Sequence, residues 1–184
     1  MKTHATPMRT LVIGLGNDLL ADDAVGIAAA RLLTTRLAGR ADVVATSAAG
    51  IALLDTMIGY DRVIVIDAVV TGRHPLGSIL EIETDALRPT ASPSPHYVGL
   101  PELVELARQL ELPFPSRARI FAVEVGDLHT IGGRMSEAVQ QALPELCDEV
   151  CRAVAEDKPR PDPPRPDPSS RCESATTEPA SCAR

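Results

Sequence analysis

The sequence predicts an α/β protein: a three-layer α/β/α sandwich around a mostly parallel, five-stranded twisted sheet with one antiparallel or edge strand. Three observations predict it. Short apolar runs alternate with stretches of helical spacing in the order β-α-β-α-β-β-α-β-α. Two of the runs, TLVIGL (Thr10–Leu15) and RVIVIDAVV (Arg62–Val70), are apolar nearly throughout, as strands covered on both faces must be. One connection, Thr71 to Pro75, is shorter than the dozen or so residues that a parallel crossover needs. The strand after it, LGSILEIE (Leu76–Glu83), therefore pairs antiparallel or lies at an edge.

The elements follow in order. TLVIGL runs into Gly16 as a buried first strand. Asp23 to Leu37 places Val25, Ile27, Ala28, Leu32, Leu33 and Leu37 at helical spacing. Val43 to Thr46 is a weaker second strand, and Gly50 to Ile58 a short helix with Ile51, Leu54 and Ile58 on one face. RVIVIDAVV is the central strand. In the fourth, Leu80 and Ile82 alternate with Glu81 and Glu83, the pattern of a half-exposed edge. Asp85 to Tyr97 reads as a Pro/Ser-rich loop, and Gly99 to Leu110 as a helix with Pro101 in its first turn. Arg119 to Val125 is the fifth strand, and Met135 to Ala155 a long amphipathic helix.

The 184 residues divide by composition. Residues 1–9 read as a flexible start, 10–155 as one domain and 156–184 as a disordered tail. That tail carries seven of the 16 prolines and no large aliphatic side chain, so it cannot bury enough apolar surface to offset its ordering entropy. It holds six acids and five bases, which leaves most of the net charge of −7 on the body. An acidic chain with no tryptophan and only Tyr60, Tyr97, Phe114 and Phe121 for aromatics lacks the basic, aromatic surface that nucleic-acid binding needs. No apolar run approaches the roughly 18 residues of a membrane span, and no secretory h-region is visible. Four cysteines without an export signal suggest a reducing, cytoplasmic setting. Cys147 and Cys151 read as small buried side chains, and Cys172 and Cys182 lack ligand spacing.

In a parallel sheet ligands bind outside the carboxyl ends of the strands, which points to residues 16–24, residues 67–74 and the loop after Val125. GLGNDLLADDAVG opens the first helix, yet it is a poor dinucleotide fingerprint: Leu19 stands in place of the third glycine and no acid ends strand two. What remains is the acid pair Asp22 and Asp23. One of them is expected to cap the helix, leaving the other for a ligand. Asp67 lies inside an apolar central strand, where a carboxylate is costly unless hydrogen-bonded to neighbouring amides or coordinated. His96, in SPSPHYVGL, is either a solvated loop residue or a ring held in place by the prolines around it. His129 is a weaker candidate after strand five, His74 lies in a turn and His4 near the start. Two carboxylates and an imidazole form an O,O,N set suited to nickel, zinc or manganese, among which ligand type does not choose.

GNDLLADDAVG, the Gly50 helix, VIVIDAV and PHYVGL, in this order between about Thr10 and Val154, resemble the hydrogenase maturation endopeptidases. The resemblance implies a phosphorylase/hydrolase-like sheet and removal of a C-terminal peptide from the large-subunit precursor of a nickel–iron hydrogenase. It carries the metal-binding and catalytic roles onto Asp23, Asp67 and His96, with Gly16, Asn17 and Asp22 in support. It also implies that the nickel is already in the precursor, where it either activates water or only positions the scissile bond. Ala24 replaces a common glycine without removing a ligand, and no serine or cysteine nucleophile motif appears. Two other functions compete: a metal-dependent hydrolase of small substrates, and a non-catalytic nickel-dependent assembly protein.

Overall fold

Alternation along the strands decides which helix layer each side chain meets. In β1 (Thr10–Leu15), Val12 joins one buried cluster while Leu11, Ile13 and Leu15 join the other. In β3 (Arg62–Val69), Ile64, Ile66 and Ala68 serve the first cluster and Val63, Val65 and Val69 the second. The computed structural model describes residues 8–84, 107, 109–115 and 117–156. Its remaining elements are a 3-10 turn (Asp22–Ala24), α1 (Val25–Arg36), β2 (Asp42–Thr46), α2 (Ile51–Met57), β4 (Ile79–Thr84), β5 (Arg117–Glu124) and α3 (Glu137–Ala155).

The five strands lie in the order β2-β1-β3-β5-β4. β3 is central, in parallel register with β1 (Ile13↔Val65) and β5 (Asp67↔Ala122). β4 is an edge strand and runs antiparallel to β5. Helices α1 and α3 contribute Val25, Leu33, Val139, Leu146 and Val150 to the first cluster, and α2 contributes Leu53, Leu54 and Met57 to the second. The expected three-layer sandwich with a mostly parallel sheet is therefore the observed fold.

Several expected boundaries shift for identifiable reasons. β4 starts at Ile79 rather than Leu76, because Pro75 to Ser78 form a turn closed by the Ser78 N–H on the Pro75 carbonyl (3.1 Å), with Gly77 at φ +83°. The first helix is entered through the 3-10 turn, so its α-helical part begins at Val25 instead of Asp23. The expected helix over 99–110 falls mostly outside the described residues, of which Ala107 and Gln109 are helical. Residues 1–7 of the start expected to be flexible, and the expected tail beyond Glu156, also lie outside them.

Candidate active site

Three loops meet at the carboxyl edge of β1, β3 and β5. The first leaves β1 at Gly16, which has φ +142°. A methyl group here would stand 1.9 Å from the carbonyl oxygen of Asp23, so only glycine lets the chain pass beneath the acid pair. Asn17 then shapes the loop: its Oδ1 accepts the Leu19 N–H (3.0 Å) and its carbonyl accepts the Leu20 N–H (3.0 Å). The turn delivers Asp22 and Asp23 to the sheet edge with 1% and 6% of their surface exposed.

Neither acid occupies the cap position expected for one of them. Ala24 stands at the N-cap of α1 and makes no side-chain cap. Asp22 instead reaches across the sheet edge, accepting the Ser136 N–H on Oδ1 (2.6 Å) and the Gly126 N–H on Oδ2 (3.3 Å). It thereby ties the loop after β1 to the loop after β5 and to the start of α3. Backbone bonds reinforce the junction: the Asp22 N–H donates to the Asp127 carbonyl and the Ala21 N–H to the Thr130 carbonyl, both at 3.1 Å.

Asp67 is fully buried (0% exposed) within β3, and the Ala68 N–H donates to its Oδ1 at 2.8 Å. Period-two alternation places it in the row of Val63, Val65 and Val69, on the α2 side of the sheet. His129 is exposed on the loop after β5, where its backbone N–H donates to Asp127 Oδ1. His74 is exposed in the turn after β3. His96 lies outside the described residues. Among the described residues no three His, Cys, Asp or Glu side chains gather as a metal cluster.

Glu124 is the site-edge residue that the sequence reading passed over. Buried at 1% exposure, it ends β5 and accepts three hydrogen bonds from the loop after β3: Thr71 N–H (2.8 Å), Thr71 hydroxyl (2.6 Å) and Gly72 N–H (2.8 Å). Burial, the largest single influence, pushes its carboxyl up. The Thr71 hydroxyl and the Gly72 and Thr71 amides, with His74 nearby, outweigh it and hold the group below its ordinary value. The signal for Glu124 was available, since it is an acid near the carboxyl end of an apolar strand, just as Asp67 is. Asp22 and Glu124 together fasten the three loops into one rim.

This constellation has relatives. Residues 27–153 match the family model for HycI, hydrogenase maturation protease. The chain belongs to the hydrogenase maturation protease family. It is 27% identical over 158 residues to the hydrogenase 2 maturation protease of Escherichia coli K12, covering 80% of this chain and 96% of that protein. It is 27% identical over 160 residues to the hydrogenase expression/formation protein HupD of Bradyrhizobium diazoefficiens, covering 85% and 83% of the two chains. The structure resembles the hydrogenase maturating endopeptidase HybD from E. coli with a TM-score of 0.67 at 26% identity, covering 81% of this chain and 93% of that one. HybD from Thermococcus kodakarensis shares the fold at a TM-score of 0.64 and 21% identity, over 80% of this chain and 99% of that one. The protein is thus a hydrolase of hydrogenase maturation, with an acid-lined edge where such a sheet binds its ligand.

Proposed function

We propose that this protease removes the C-terminal peptide of a nickel–iron hydrogenase large-subunit precursor after nickel has been inserted. Asp23, Asp67 and His96 are the residues that meet the substrate's metal. The observation that carries the reading is the burial of two carboxylates, Asp23 at 6% and Asp67 at 0% exposure, beside the carboxyl edge of a parallel sheet in a protein of this family. Burying a carboxylate is costly unless it is hydrogen-bonded or coordinated. Asp67 accepts the Ala68 N–H within the protein, and a divalent ion brought by the substrate adds coordination to the two acids when the proteins dock.

Hard carboxylate oxygens and one imidazole suit nickel as outside ligands. Asp22 accepts two backbone amides and is assigned to holding the loops, and the resemblance of GNDLLADDAVG to the family's first motif assigns Asp23 to the metal. The third ligand, His96, is assigned from the resemblance of PHYVGL to the family's motif.

The test is to incubate the protein with nickel-loaded and nickel-free precursor and to follow the precursor's mass. The expected outcome is loss of a C-terminal peptide from the loaded form only. Asp23→Ala, Asp67→Ala and His96→Ala should each lower the cleavage rate by at least about a hundredfold, a loss of nearly 3 kcal/mol of transition-state stabilisation. Normal cleavage by all three variants refutes the site. Binding without a change in mass would make the protein an assembly factor, and indifference to the precursor would favour a small-substrate hydrolase.

A further inference from the structure

Single exposed apolar side chains are ordinary on a protein surface, whereas several on one rim call for an account. Among the described residues, Leu19 (66% exposed), Val70 (44%), Leu76 (50%) and Ile131 (81%) all lie on the loops of the sheet's carboxyl edge. Leu20 and Ile131 form an antiparallel bridge, and the Gly132 N–H donates to the Leu19 carbonyl at 2.8 Å. The backbones of Leu19 and Ile131 therefore meet across two loops. Leu76 approaches the second of these loops, since a Cβ at Gly126 would lie 3.5 Å from its nearer δ carbon. Val70 follows β3, three residues beyond Asp67.

We infer that this rim, with Leu19 and Ile131 as its lip, is the docking surface for an extended apolar segment of the polypeptide substrate beside its scissile bond. The inference rests on the proteolytic reading above and names residues that read the substrate's sequence rather than its metal. Three observations support it. The apolar side chains are continuous with the loop that carries Asp22 and Asp23. The rim is preformed, because Asp22, Glu124 and the Leu20–Ile131 bridge fix its loops, so binding costs little ordering entropy. Beside Leu19 the Asp18 carboxylate is paired with Arg31 at 2.7 Å, so the acid next to the lip is not left as a bare charge.

The test is steady-state cleavage of nickel-loaded precursor by the wild type, by Leu19→Ser/Ile131→Ser and by Leu32→Ser. The last is a control on α1, 51% exposed and away from the rim. The lip variant should raise KM by about tenfold or more with kcat unchanged at saturation, while Leu32→Ser matches the wild type. Leu76→Ser, which leaves the bridge untouched, should raise KM in the same direction. Thermal unfolding of all the variants should stay at the wild-type midpoint, because the replaced side chains are exposed. A lip variant whose KM stays within twofold of the wild type overturns the inference and leaves the protease reading standing. So does a wild-type dimer in sedimentation that Leu19→Ser/Ile131→Ser disperses, which would make the lip a contact between copies of this chain. Failure of the wild type to cut the precursor overturns both readings.

Discussion

Gly16 and Glu124 show how single residues set the position of the acids. At Gly16, φ of +142° and the Asp23 carbonyl 1.9 Å from any added Cβ act together. Gly16→Ala should cost about 1–3 kcal/mol through backbone strain alone, and more through the clash with a backbone atom that has nowhere to go. Thermal unfolding measures the cost, and a retained fold with impaired cleavage would report displacement of Asp23. Glu124 makes a pH prediction. Its folded pKa lies below its ordinary value of 4.5, so its contribution is present in full above that value and is lost as pH falls through the folded one. Glu124→Gln should lower stability by about 1–3 kcal/mol at neutral pH. It should also flatten the acid limb of the stability curve, where the wild type loses the ionised carboxylate. An unchanged acid limb in a plot of unfolding midpoint against pH would refute this role.

At the scale of elements, α1 sits unusually close to the sheet. A Cβ on Gly26 would lie 2.1 Å from the Leu15 carbonyl oxygen and 2.6 Å from that of Ile66, and one on Gly14 would lie 2.0 Å from the Gly26 carbonyl. The first turn of α1 thus rests directly on β1 and β3, carrying the acid pair with it. Gly26→Ala decides between two effects. Helix propensity favours alanine by about 1 kcal/mol, whereas overpacking against two immobile carbonyls costs about 3 kcal/mol or more. The variant should therefore lose stability in chemical denaturation, and a gain would show that α1 can lift without penalty. The turn after β3 is pressed similarly against α3, since a Cβ on Gly77 would lie 2.6 Å from the Ala138 carbonyl. Close helix–strand packing is thus achieved without the third glycine of a dinucleotide fingerprint. Gly26, seven residues beyond Leu19, performs that packing instead.

Two apolar clusters on either face of the sheet fix the layers, and among the described residues every buried acid collects at one end of them. Asp22, Asp23, Asp67 and Glu124 are buried at the carboxyl edge, while the buried basic residue Arg62 lies at the opposite end of β3, its guanidinium donating to the Ala153 carbonyl. This separation gives the site edge a surplus of carboxylates within a chain whose net charge of −7 says little about it. Surface pairs such as Arg36 with Asp148, which links α1 to α3, are exposed and contribute little by comparison.

The sequence by itself determined the layers, the central place of β3, the edge place of β4 and the two candidate acids. An apolar run such as TLVIGL has one stable environment, between two helix layers, and β1 spans the same six residues that the run predicts. An acid in VIVIDAV stands out because burial makes its presence expensive. Tertiary structure alone decided which partner each buried acid has. Asp22 looks like a cap in sequence and is a tie to residues 104 and 114 positions away; Glu124 looks like the end of a strand and clasps a loop 52 and 53 positions away. Hydrogen bonds of that range depend on where the loops are brought by the sheet, and no local pattern encodes it. The apolar rim has the same origin. Leu19, Val70, Leu76 and Ile131 are separate hydrophobic residues along the chain, and they share one edge only because three strands end there.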